Sequence, residues 1–374
     1  MNVLKMSVLA AALCGILGIV SMPALAQQAS TPAETSVTAA LKPHAGDFTI
    51  DNFRFRDGGT LAKLKLHYLT LGTPQRGPDG HVANAVLILH GTGGTGSQFM
   101  QPHFAGELFG PGQPLDASRY FIILPDNIGH GGSSKPSDGM KSAFPHYDYG
   151  DMVAAQHALL TNGLKLDHLR LVMGTSMGCM HSFMWGEDYP DFVDAIMPLA
   201  CEPVAIAGRN RMWRKMLMDG IRDDPAWDGG NYTQEPVLGL RTAVDMLLIA
   251  GSAPQLLQRD YPTRQEADDH LAQSMQRTLP HLDANDLLYQ VDSSRNYDPS
   301  AKLGTIKAPL LWINSADDFI NPPYLGLTER EVKRIPRGRF VLIPASTATH
   351  GHGTHTWAAI WKKHLVELLA RSAH

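Results

Sequence analysis

The chain has 374 residues, 44% of them hydrophobic and 18% charged, enough apolar material for a core in one large domain or two smaller ones. Its formal net charge of -4 leaves no basic surplus, which argues against nucleic acid as a partner. No charge run or internal repeat stands out.

Residues 1–26 read as a secretory signal peptide. Lys5 opens it, an apolar stretch fills 7–20, and Ala24-Leu25-Ala26 forms a small-residue cleavage site after Ala26. The stretch falls short of the roughly 18–20 residues of a bilayer span. No stable membrane insertion is therefore expected after cleavage, and a periplasmic or secreted location is. Cys14 follows Ala11-Ala12-Leu13, a poor lipobox. Residues 27–43, rich in Ala, Thr and Ser, read as a disordered lead-in.

Strands are expected over 48–55 and 65–71, around the Asp57-Gly58-Gly59 turn. Ala85-Val86-Leu87-Ile88-Leu89 is a continuous apolar run, the pattern of a strand buried on both faces. Further strands are expected over 120–124, 169–173, 195–199, 309–313 and 339–343, with helical spacing over 151–160, 179–185 and 357–369. Alternating strands and helices imply a mostly parallel sheet covered on both faces. The alternation stops over 204–305, where 211–221, 237–249 and 266–278 have helical character. The expected organisation is a core of 44–203 and 306–374, with 204–305 a helical lid inserted after the sixth strand. A separate second domain is the alternative.

The chemistry centres on Gly174-Thr175-Ser176-Met177-Gly178, set between a strand and a helix. G-x-S-x-G alone is a weak signal. In a strand–turn–helix setting it becomes a nucleophile elbow, with the serine held in a strained turn and its hydroxyl exposed. A serine hydroxyl is a poor nucleophile at neutral pH and needs a base. A carboxylate and then a histidine are expected downstream, each just after a strand. Asn314-Ser315-Ala316-Asp317-Asp318 supplies the first, and Thr349-His350-Gly351-His352-Gly353-Thr354-His355 the second. Chemistry alone leaves two aspartates and three histidines in play.

The histidine spacing also invites a metal, but zinc would want further ligands, and none is expected. The oxyanion hole needs two backbone N–H groups. Met177 supplies one, and Thr92, in His90-Gly91-Thr92-Gly93-Gly94, the other. Residues 91–96 match the dinucleotide fingerprint G-x-G-x-x-G. No acidic residue closes a strand about 20 residues on, so no cofactor is expected. His130 reads as a loop-packing histidine, and Met212, Trp213, Met216 and Met218 as pocket lining or lid core. Cys179 and Cys201 are expected as two buried free thiols, although an exported protein is permitted a disulfide.

The chain resembles the α/β-hydrolases of the homoserine O-acetyltransferase-like branch. The resemblance rests on Phe144-Pro145, Gly174-Thr175-Ser176-Met177-Gly178-Cys179-Met180 and Trp185…Tyr189-Pro190. In the insertion it rests on Asp224-Pro225…Trp227…Gly229-Gly230…Tyr232, Gly239-Leu240-Arg241 and Asp283-Ala284-Asn285. It runs from about Asp47 to the end. It implies the α/β-hydrolase fold and resolves the triad: the family's Asp-x-x-x-Pro-Pro falls on Asp318 to Pro323, and its Gly-His pair on Gly351-His352. The implied triad is Ser176, Asp318 and His352.

Two departures concern the reaction. Ile128-Gly129-His130-Gly131-Gly132-Ser133 looks like general hydrolases, and the lid arginine that would hold homoserine's carboxylate is replaced by Ala272. Acetyl-CoA and homoserine are also cytoplasmic, which sits poorly with export. The expected function is a secreted serine hydrolase acting on a small-molecule carboxylic ester through an acyl-serine intermediate. An O-acyltransferase and a catalytically inactive binding protein are the alternatives. The resemblance also allows a homodimer formed through the lid.

Overall fold

The computed structural model describes residues 41–372. The expected signal peptide, its cleavage site and residues 27–40 of the lead-in lie outside the described residues.

The chain runs through β1 (His44–Arg54), β2 (Thr60–Leu71), β3 (Ala85–Leu89), α1 (Pro102–Leu108), β4 (Phe121–Pro125), α2 (Tyr149–Ala158), β5 (Leu171–Thr175), α3 (Met177–Asp188) and β6 (Ile196–Leu199). It then leaves the sheet for α4 (Gly208–Arg222), α5 (Val237–Gly251), α6 (Pro254–Asp260), α7 (Arg264–Thr278) and α8 (Ala284–Asp292). It returns for β7 (Leu310–Ser315), α9 (Leu327–Glu331), β8 (Gly338–Ile343) and α10 (Ala358–Arg371). All eight expected strands form, with ends shifted by a few residues.

They build one sheet in the order β1-β2-β4-β3-β5-β6-β7-β8. The β1–β2 and β2–β4 pairs are antiparallel and the rest parallel. Sequence pattern explains the layering. The continuous apolar runs of β3, β4, β5, β6 and β7 are buried throughout, because helices cover both faces. β1, at the edge, alternates between exposed and half-buried side chains. One core cluster, with Phe183, Trp185 and Trp312, packs on one face. The other, with Phe99, Phe104 and Trp361, packs under α1 and α10.

The helices between β6 and β7 are pinned to loops of the sheet. Gln290 Nε2 on α8 donates to Gly129 O at 2.7 Å, and Asp286 accepts from Ser137 N and Oγ at 2.9 and 2.6 Å. Asn296 Nδ2 donates to Asp148 Oδ2, an oxygen at the N-cap of α2, at 2.7 Å. On α4, Trp213 and Met218 are buried while Met212 and Met216 are exposed, so the methionine group does not act together as a lining.

The two cysteines correct the sequence reading. Cys179 and Cys201 are joined in a disulfide with Cα atoms 5.8 Å apart, not free thiols. The spacing that hid this is topological. Cys179 lies in the first turn of α3 and Cys201 just past β6, and the parallel β5–β6 pairing makes those strand ends neighbours.

Candidate active site

The opening turn of α3 answers why Ser176 stands between two glycines. Ser176 has φ 54° and ψ -110°, a left-handed conformation that costs a non-glycine residue on the order of 1–3 kcal/mol. The turn is held because Ser176 N donates to Leu199 O at 2.9 Å and Met180 N to Ser176 O at 3.2 Å. The turn is also crowded. A Cβ at Gly174 would lie 2.1 Å from Gly178 O, and one at Gly178 would lie 2.1 Å from Leu89 O. Neither position admits a side chain.

The loops after β7 and β8 bring two partners to this turn. Ser176 Oγ donates to His352 Nε2 at 2.8 Å, and His352 Nδ1 donates to Asp318 Oδ2 at 2.9 Å. Asp318 is 2% exposed and His352 8%, while Ser176 remains partly accessible. Burial works to raise the Asp318 pKa. The facing imidazole and the hydrogen bonds from Asn321 outweigh it and hold the carboxyl below its ordinary value. Those bonds run from Asn321 N to Oδ1 at 3.1 Å and from Asn321 Nδ2 to Oδ2 at 3.0 Å, with Ile320 N adding one to Oδ1 at 2.7 Å. A carboxylate so satisfied stays ionised and fixes the imidazole tautomer.

The residues left open by chemistry separate cleanly. Asp317 does not face His352. It accepts from Ser315 Oγ, from Thr349 Oγ1 at 2.8 Å and from Gly351 N at 3.1 Å, and so anchors the loop that carries the histidine. His350 stacks on Trp357 with ring centroids 3.9 Å apart. His355 is half-buried, edge-on to His352 at 5.1 Å, and desolvation lowers its pKa to about 3. The three histidines therefore do not converge on a common point.

Opposite the serine lies the turn after β3. A Cβ at Gly91 would sit 3.2 Å from Ser176 Cβ and 3.8 Å from Oγ, so this backbone passes directly over the hydroxyl. Thr92 follows, partly exposed. Among the described residues, neither Thr92 N nor Met177 N donates to another group of the chain. The turn is braced from behind by residues that sequence reasoning passed over. His90 Nδ1 donates to Gly91 O at 2.8 Å, and its Nε2 accepts from Asn127 N at 3.0 Å. Burial keeps His90 below its ordinary pKa, consistent with the neutral tautomer. Asp126 receives Gly96 N at 2.7 Å and Gly132 N at 2.8 Å, tying the neighbouring glycine loops. Only the position of His90 and Asp126 at strand ends hinted at this. His130 is fully buried, with Nδ1 donating to Ile128 O at 2.9 Å, a packing role as expected.

Ala272, read as standing where a carboxylate-binding arginine would be, is exposed on α7. The buried arginine of these helices is Arg214 on α4, 2% exposed, donating to Asn210 Oδ1 at 3.0 Å and Ser294 Oγ at 3.3 Å.

The arrangement is chemically competent for attack by a serine oxygen on a carbonyl: a base lies within hydrogen-bond reach of the hydroxyl, and a carboxylate orients that base. Comparison with known proteins agrees with the architecture. The family described as alpha/beta hydrolase fold matches residues 84–347. A homoserine O-succinyltransferase of Magnetococcus marinus is 30% identical over 292 residues, 71% of this chain and 70% of its own. A homoserine O-acetyltransferase of Moorella thermoacetica is 30% identical over 308 residues, 71% of this chain and 80% of its own. Among solved structures, an acetylester hydrolase from Corynebacterium glutamicum superposes with a TM-score of 0.75 at 25% identity, covering 87% of this chain and 96% of that one. The chain belongs to the alpha/beta hydrolase fold family, in the branch that holds the homoserine O-acetyltransferases.

Proposed function

We propose that the protein is an exported serine ester hydrolase, active in the periplasm or outside the cell once residues 1–26 are removed. The carrying observation is the run of two hydrogen bonds from Ser176 Oγ through His352 to Asp318. His352 Nε2 takes the serine proton as Oγ attacks the ester carbonyl. Thr92 N and Met177 N receive the oxyanion, and Asp318 stabilises the imidazolium. His352 then returns the proton to the leaving alcohol. Water, deprotonated by the same histidine, releases the acid from Ser176. No step calls for a cofactor. The helices between β6 and β7 act as the lid that shields the acyl-serine, and the same helices are where a homodimer would form.

The similarity to homoserine acyltransferases supports acyl transfer as a second reading, in which an alcohol takes the place of water. Turnover decides between them. The mature chain should cleave 4-nitrophenyl acetate with water alone as acceptor, at a rate that does not require an added alcohol. Activity seen only with an acyl-CoA and an alcohol would overturn the hydrolase reading.

A further inference from the structure

Arg214 on α4 is a buried cation held only by neutral groups. Its guanidinium donates from Nε to Asn210 Oδ1 at 3.0 Å and from Nη1 to Ser294 Oγ at 3.3 Å. Ser294 gives its own proton to Val291 O at 2.8 Å. Among the described residues no aspartate or glutamate pairs with Arg214, and the ionised neighbour that acts on it, Arg211, is a second cation. A buried charge is expensive unless it is paired, so a cation kept here calls for a use. Its remaining neighbour is Tyr149, the first residue of α2. The Tyr149 ring is buried and held edge-on by His181 at 4.7 Å and Tyr297 at 5.7 Å, which gives its hydroxyl a fixed place. Around that hydroxyl stand the Arg214 guanidinium, Ser294 and Thr92. Thr92 follows Gly91, whose backbone passes over Ser176 Oγ. Arg214 and Ser294 belong to the segment inserted between β6 and β7, whereas Tyr149 and Thr92 belong to the sheet and its loops. The phenol is therefore where the inserted helices meet the oxyanion loop.

We propose that Arg214 is a positioning residue: from the lid, through the Tyr149 hydroxyl, it fixes Thr92 so that the Thr92 N–H points at the oxyanion. The proposal rests on the hydrolase reading and assigns what aligns its oxyanion hole. A guanidinium can only donate, so the Tyr149 oxygen accepts from Arg214 and the phenol proton is turned toward Thr92 Oγ1. Burial raises the Tyr149 pKa and Arg214 works against the rise, leaving a hydroxyl that keeps its proton at neutral pH. A donor set in place beforehand needs no rearrangement when charge develops on the ester oxygen. The guanidinium charge, uncompensated in the resting protein, also favours the negative oxyanion over the neutral ester.

The test uses the mature protein with 4-nitrophenyl acetate and with 1,1,1-trifluoroheptan-2-one, a ketone that adds to a reactive serine and places an oxyanion in the hole. Rates are taken per active site, counted with a fluorophosphonate, so that misfolded protein does not register. Arg214→Met and Tyr149→Phe should each lower kcat by on the order of tenfold, with KM nearly unchanged, short of the roughly 10²–10³ that losing an oxyanion donor itself costs. The Ki of the ketone should rise by the same factor. The double variant should be no worse than the poorer single one, because both changes break one path. Arg214→Lys, which restores the charge, should recover part of the loss. If Arg214→Met fails to fold, Tyr149→Phe, which keeps the ring and its packing, decides alone through kcat and the ketone Ki. Variants within about twofold of the parent, losses confined to KM, or losses that multiply in the double variant overturn the inference and leave the hydrolase reading standing. A parent that neither cleaves the ester nor binds the ketone overturns both.

Discussion

Asp317 and Asp318 stand side by side in the chain, yet the structure gives them different work, and asparagine at each position tests that difference. In Asp318→Asn the imidazole faces a neutral amide and loses both its charge partner and the bond that sets its tautomer. Loss of the orienting acid in such a relay costs on the order of 10⁴ in rate, equivalent to about 5 kcal/mol of barrier. In Asp317→Asn the relay is intact. What weakens is the set of bonds from Ser315, Thr349 and Gly351 that fixes the histidine loop. One such bond lost is worth roughly 1–2 kcal/mol, a fall of about tenfold. The assay is kcat/KM on 4-nitrophenyl acetate for the parent and both variants, with circular dichroism to show that each folds. Asp318→Asn should sit near the detection limit and Asp317→Asn about a decade below the parent. A folded Asp318→Asn within tenfold of the parent, or the two variants equally affected, would refute the assignment.

Two further outcomes follow from buried groups. The Cys179–Cys201 bond closes a loop with a sequence separation of 22 residues, for which loop-closure entropy gives about 3 kcal/mol. The Cys179→Ala/Cys201→Ala protein should unfold in urea with its stability lowered by about that amount, and the denatured mature parent, which lacks Cys14, should show no free thiol before reduction; a titratable thiol or an unchanged midpoint contradicts the pairing. Glu202 binds its proton more tightly folded, with a pKa of about 8, than unfolded, near 4.5. Its contribution to stability is therefore fully present below about pH 4.5 and is lost as pH rises through about 8, on the order of a few kcal/mol in total. Glu187, also raised to about 8 by burial, adds a loss of the same sign. Urea unfolding of parent and Glu202→Gln at pH 5 and pH 8.5 should show the variant gaining on the parent at the higher pH. A constant difference between them would mean that Glu202 ionises normally.

Much of the fold was legible because burial on both faces leaves a plain mark. The strands from β3 to β7 are continuous apolar runs, and each was placed within a few residues. The helices missed from pattern alone were short, such as α6 (Pro254–Asp260) and α8 (Ala284–Asp292), with too few turns for their periodicity to stand out. The serine turn was legible for a steric reason, since Gly174 and Gly178 admit no Cβ. The roles of Asp317, His90 and Asn321 were not. Each depends on which backbone N–H or carbonyl a folded loop presents to it, and that is set by contacts between chain segments far apart. The disulfide was hidden for the same reason, and its two cysteines became neighbours only through the order of the sheet.

The account depends on Ser176 Oγ being the reactive atom. Mass spectrometry of the mature protein after treatment with a fluorophosphonate measures this directly. One phosphonyl group should be found on the peptide carrying Ser176, at a rate that collapses in His352→Ala, with no adduct on a folded Ser176→Ala protein. A folded parent that takes no label, or labels equally well without Ser176, would contradict it.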